Sequence, residues 1–99
     1  MLGWTTIRIA GDSMSPAVEP GDWWLVRRGP SVRPGDVIAF RHPGRIDLLT
    51  VKRAVERRPE GWWVLGDNVD RSDDSRTFGV VPDEAIVGVL RLRYRRGRS

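Results

Sequence analysis

Ninety-nine residues, 39% of them apolar, can build one modest core, and the composition is not that of a disordered chain. Cysteine is absent and His42 is the only histidine, which excludes a disulfide framework, a thiol nucleophile and a Cys- or His-cluster metal site. The net charge of +4 is carried by arginine, since Lys52 is the only lysine; runs such as Arg27-Arg28, Arg57-Arg58 and Arg95-Arg96 read as solvated surface charge.

Met1 to Ala10 alternates polar with apolar residues and contains Arg8, so a strand is expected over Trp4–Ala10 rather than a signal peptide or an anchor. No apolar run approaches the roughly 20 residues that span a bilayer. Gly11-Asp12 marks a turn, and Pro16–Glu19 has room for one turn of helix. Strands are then expected at Trp23–Arg28, Asp36–Arg41, Asp47–Glu56 and Trp62–Leu65, separated by turn signals such as Pro20-Gly21-Asp22, Pro34-Gly35-Asp36, Pro43-Gly44 and Pro59-Glu60-Gly61. Alternation sends one ring of Trp23-Trp24 and one of Trp62-Trp63 inward; the outward pair, with Trp4, offers an apolar surface for an extended peptide or a partner. Asp67 to Val80 is a polar loop too long for a hairpin, of the kind that carries function. A second helical turn is expected at Asp83–Ile86, and a last strand at Ile86–Tyr94. No window carries a 3.6-residue stripe, so the expected fold is all-β, a small barrel or folded sheet, in a single domain over 1–99.

Two residues stand out chemically. On its strand Lys52 shares a face with Leu48, Thr50 and Ala54, without an acidic neighbour. A lysine there is ordinarily a solvated edge charge. Desolvated, its pKa falls by as much as 3–5 units, and the neutral amine accepts a proton near pH 7, which arginine cannot do. Ser13 lies in Gly11-Asp12-Ser13-Met14-Ser15-Pro16, at a strand-to-turn junction that exposes a hydroxyl and free backbone N–H groups. Turn or cap is the ordinary role of a serine in such a setting. The G-x-S-x-G pattern is absent, and a Ser-His-Asp arrangement would have to recruit His42. The cluster Asp67, Asp70, Asp73, Asp74 reads either as surface charge balanced by Arg71 and Arg76 or as part of a site; its spacing does not fit a calcium loop.

Taken together, four blocks in order resemble the signal peptidase I superfamily of Ser/Lys proteases. Ser13-Met14-x-Pro16 with Gly21-Asp22 is similar to the nucleophile box, and Val51-Lys52-Arg53 to the general-base box. Gly66-Asp67-Asn68, Ser72, Asp74-Ser75-Arg76 and Gly79 are similar to the third box, and Pro34-Gly35-Asp36-Val37-Ile38 with Phe40 to the strand between the first two. The resemblance implies a largely β core in which Ser13 attacks a peptide carbonyl and Lys52 takes its proton. It further implies that the Ser13 N–H helps bind the oxyanion, that Ser72 hydrogen-bonds and orients the Lys52 amine, and that Asp74 and Arg76 pair to hold the loop. Met14 and Gly11 flank the nucleophile as supporting residues. No cofactor and no metal is implied.

Twelve residues precede Ser13, the insertion after the lysine box is reduced to Glu56–Gly61, and Gly11 stands where some members carry a hydroxyl for the oxyanion hole. Arg41-His42-Pro43, Asp47-Leu48-Leu49, Val51-Lys52-Arg53-Ala54 and Gly61-Trp62-Trp63-Val64-Leu65-Gly66-Asp67-Asn68 most closely resemble the nickel-type superoxide dismutase maturation proteases. That resemblance implies removal of an N-terminal prosequence from a dismutase precursor; the cytoplasm, no transmembrane anchor and no nucleic-acid partner are expected. Two other readings stay open: a self-cleaving domain of the LexA-like superfamily, and a non-enzymatic basic β-domain that binds nucleic acid or a precursor protein.

Overall fold

Short runs of Trp, Val, Ile and Leu between Pro-Gly and Gly-Asp turns form strands because β-branched and aromatic side chains fit a pleated, half-buried surface. The computed structural model describes residues 3–97 and contains β1 (Trp4–Arg8), β2 (Trp23–Arg28), β3 (Val37–His42), β4 (Arg45–Arg58), β5 (Gly61–Leu65) and β6 (Ile86–Arg95). They form one antiparallel sheet of six strands in the order β1-β2-β6-β3-β4-β5. The all-β expectation holds. β6, the last strand in sequence, lies at the centre between β2 and β3.

Alternation along β3 explains how the sheet builds two cores. Ile38 and Phe40 point to one face and Ala39 to the other, and all three are fully buried. The first core gathers Ile38, Phe40, Ala54, Trp62, Val64, Val81, Ile86 and Val89. The second gathers Ile7, Ile9, Met14, Val18, Val26, Ala39 and Leu90. Burying one side chain of the size of Phe40 is worth about 1.5–3 kcal/mol.

Observed strand limits differ from the expected ones where turns permit more or less pairing. The Pro43-Gly44 turn is tight enough for His42 to pair with Arg45, so β4 begins two positions earlier than Asp47. β1 ends at Arg8, after which Ile9 exchanges hydrogen bonds with Asp22 and Gly21. Pro16–Glu19 is not a helix; a turn runs over 13–17, closed by Val18 N–H to the Met14 carbonyl at 3.0 Å. Asp83–Ala85 forms a 3-10 turn, as does Val69–Arg71. The long loop also holds a four-residue helix, α1 (Ser75–Phe78), capped by Asp74, whose side chain accepts from the Arg76 N–H.

The tryptophans follow alternation only in part. Trp62 is buried, and Trp63 stacks under the Arg58 guanidinium at 4.0 Å. Trp24 packs on the second core, while Trp23 leans on Tyr94 with ring centres 6.4 Å apart. Among the described residues no helix is long and apolar enough to cross a membrane.

Candidate active site

The path of β1 carries the chain over the second core and then into the turn at 13–17. Met14, 1% exposed, anchors that turn from below. β4 passes on the far side of a groove of about 250 Å³, lined by Ile7 to Gly11 and Ser13 from one wall and Leu48 to Lys52 from the other. Along Arg53–Arg58, β4 has β5 as a neighbour, but Leu49–Lys52 pairs only with β3, so the groove runs along an open strand edge.

Lys52 faces this groove from the middle of β4 and is 5% exposed. Its cross-strand partner is Ile38, and Ala54 follows it on the same face, so the stem is held in apolar surroundings. Lys52 Nζ lies 2.8 Å from Ser13 Oγ. Among the described residues it forms no ion pair. Burial pushes the amine below its ordinary pKa, and the more distant charges of Asp74 and then Asp73 oppose the shift without cancelling it. Among the described residues no acceptor takes the Ser13 backbone N–H.

The loop after β5 grips the serine turn. Asn68 N–H donates to the Ser13 carbonyl at 2.7 Å, and Asn68 Nδ2 to the Asp12 carbonyl at 3.1 Å. Asp67 N–H points at Met14 Sδ, and Arg71 pairs with Asp12 at 2.9 Å. Gly66 is required on steric grounds, because a Cβ there would strike Ser72 Oγ and the Ser13 carbonyl. On β4, next to Lys52 in the chain, Arg53 holds Asp67 with two hydrogen bonds, at 2.9 and 2.7 Å.

Asp74 is fully buried at the heart of that loop. Arg76 donates to it from Nε and Nη2, each at 2.9 Å, and from its backbone at 3.2 Å; Gly66 N–H and Ser72 Oγ add bonds of 3.0 Å. Burial alone would raise the Asp74 pKa. The bonds from Arg76, Gly66 and Ser72 outweigh it and hold the carboxyl far below the usual carboxylate range.

The expected residues therefore assemble with one difference. Ser13 and Lys52 meet, Asp74 and Arg76 pair, Met14 underpins the turn and Gly11 lines the groove. Ser72 does not bond Lys52. Its hydroxyl donates to Asp74, whose anionic oxygen is the stronger acceptor. A Cβ at Gly11 would meet open space, so that position has no steric need for glycine. His42 lies against Phe78, with ring centres 4.6 Å apart, and pairs with Asp73; its hydrogen bonds go to Asp73 and Gly44, not to Ser13. The grip of Asn68 and Arg53 was not legible as such in the sequence, though Gly66-Asp67-Asn68 gave a turn signal at that place.

Among the described residues no group of three or more His, Cys, Asp or Glu side chains is arranged to hold a metal ion. A family model described as Peptidase S24-like matches residues 4–90, from the first strand into the last. No curated protein gives a significant match to the chain.

Proposed function

The chain belongs to the Peptidase S24-like family, and from that membership we propose that it is an endopeptidase in which Ser13 is the nucleophile and Lys52 the general base. One observation carries this reading: the 2.8 Å contact between Ser13 Oγ and a buried Lys52 amine that has no carboxylate partner. A base must be neutral at working pH, and burial without an ion pair is how a lysine becomes so.

The geometry supports the following chemistry. Lys52 Nζ takes the Ser13 proton as Oγ attacks the peptide carbonyl, and the Ser13 N–H stabilises the oxyanion. The resulting ammonium returns the proton to the departing amine. Water, deprotonated by the same amine, then releases the acyl group and restores the serine. The open edge of β4 and the facing wall of β1 suit a substrate held in extended form by main-chain hydrogen bonds.

The substrate we infer is a protein precursor with an N-terminal prosequence, specifically a nickel-type superoxide dismutase precursor, in the cytoplasm. Support for this finer assignment is the resemblance of Arg41-His42-Pro43 and Gly61–Asn68 to that group of maturation proteases. Ser72, Asp74 and Arg76 would then support the site through the loop, with the Ser72 contribution passing through Asp74. Mixing the precursor with wild type, Ser13→Ala and Lys52→Ala tests the reading, with cleavage expected from wild type alone. Equal cleavage by Ser13→Ala ends the serine mechanism, and activity of Lys52→Ala at neutral pH ends the dyad. The family match also favours a second reading, self-processing by the same dyad, which incubation of the purified protein alone would reveal as a new fragment.

A further inference from the structure

Two adjacent carboxylates, Asp73 and Asp74, lie near enough to Lys52 to influence its charge, yet neither pairs with it. A carboxylate that reached the amine would hold it as an ammonium ion, unable to accept a proton. Asp74 is kept away by the bonds from Arg76, Gly66 and Ser72. Among the described residues the Asp73 side chain makes one bond, the 3.0 Å contact with His42 Nε2. Its side chain is 58% exposed.

Two contacts orient the imidazole for this bond. Gly44 N–H donates to Nδ1 at 3.0 Å, which fixes Nδ1 as acceptor and leaves Nε2 as the N–H that faces Asp73 Oδ2. The ring packs on Phe78 of α1, and the side chain is 11% exposed. The tight Pro43-Gly44 turn is thus what sets the tautomer.

We propose that His42 is a positioning residue: it holds the Asp73 carboxylate off Lys52, so that Ser13 remains the amine's hydrogen-bond partner. The inference rests on the Ser13–Lys52 reading for its catalytic consequence. The charges of Asp74 and then Asp73, from the loop before α1, act on Lys52, and Arg8 lines the same groove from β1. Asp12, beside Ser13, is paired with Arg71. Around His42, Arg41 of its own strand and Glu84 of the second 3-10 turn line a shared cavity.

Lys52 is the only lysine, so protein labelled with carbon-13 at lysine gives one side-chain signal whose titration reports this amine without substrate or activity. Asp73→Asn removes a charge that favours the ammonium and is expected to move the midpoint down. His42→Phe keeps the packing on Phe78, removes the donor, and is expected to move it up by about one pH unit as Asp73 swings inward. His42→Gln, which retains an N–H donor, should stay near wild type, and His42→Phe with Asp73→Asn should follow Asp73→Asn alone. In cleavage assays the acidic limb of kcat/KM should move with the midpoint. An unchanged lysine titration in folded His42→Phe overturns the proposal. An upward shift that persists in the double variant does so too. Loss of cleavage with the expected titrations intact would instead count against the dyad reading.

Discussion

Lys52 and Arg53 are neighbours on β4 and both cations, but the pleat puts them on opposite faces and into opposite electrostatic settings. Arg53 sits at the rim, where Asp67 accepts two of its hydrogen bonds and the Gly35 carbonyl a third at 2.8 Å. Its charge is stabilised, first by the hydrogen bonds to Asp67, and its pKa is raised. Lys52 sits between core and groove with one hydroxyl as partner, and burial lowers its pKa. One residue uses its charge to fasten a loop. The other, in the mechanism we propose, is useful only when it can lose its charge.

Removing Lys52 breaks this comparison most severely. Lys52→Ala is expected to reduce cleavage by roughly a hundred- to ten-thousand-fold, the range of a general base, as read from single-turnover rates on a precursor. Lys52→Met should lose activity equally while making the fold more resistant to urea at pH 7. The sign follows from the depressed folded pKa: the unfolded lysine binds its proton more tightly, so the buried amine costs stability at low and neutral pH, and the cost fades as pH rises through the folded pKa towards the unfolded value. A Lys52→Met protein with unchanged or lower urea resistance would mean that burial imposes no such cost.

The loop is the next point of attack. Asp74→Asn leaves Arg76 and the Gly66 N–H without their anionic acceptor and is expected to cost about 2–4 kcal/mol in chemical denaturation at pH 7. Because the folded Asp74 pKa is depressed, its contribution is present above the unfolded carboxylate value and fades as pH falls below it towards the folded one. The difference between wild type and Asp74→Asn should therefore shrink on acidification; a constant difference from pH 7 to pH 3 would contradict it. Gly66→Ala should cost about 1–3 kcal/mol by overpacking and, by displacing the Ser13 carbonyl, lower kcat more than it raises KM. Arg53→Ala should have the smallest effect, below about 1 kcal/mol, because its pair with Asp67 is partly exposed. A loss as large as that of Asp74→Asn would show that the two faces of β4 are not so different.

Most strands were legible because their side chains alternate with a period of two and their turns are marked by Pro, Gly and Asp. Lys52 could be placed on an apolar face from Leu48, Thr50 and Ala54 alone. α1 escaped because four residues are too few to show a helical period, and only the capping ability of Asp74 hints at it. The partner of Ser72 escaped for another reason. A hydroxyl chooses among acceptors by distance and charge, and nothing in the spacing of Ser72 and Asp74 says which acceptor the loop will offer. His42, the one histidine a Ser-His-Asp arrangement could recruit, is joined by the fold to Asp73 instead, thirty-one positions away in the chain.

The central place of β6 has a consequence in time as well as in space. Among the described residues, strand pairing links β1–β2 to β3–β5 only through Ile86–Arg95. As the polypeptide emerges from the ribosome, Ser13 and Lys52 appear before β6, in two hairpin-like units that lack the strand needed to join them. The sheet can close only after β6 has emerged and paired across long sequence separations, a slow kind of step. Vectorial synthesis thus separates the making of the Ser13–Lys52 pair from its assembly, so that both residues are translated well before they can meet.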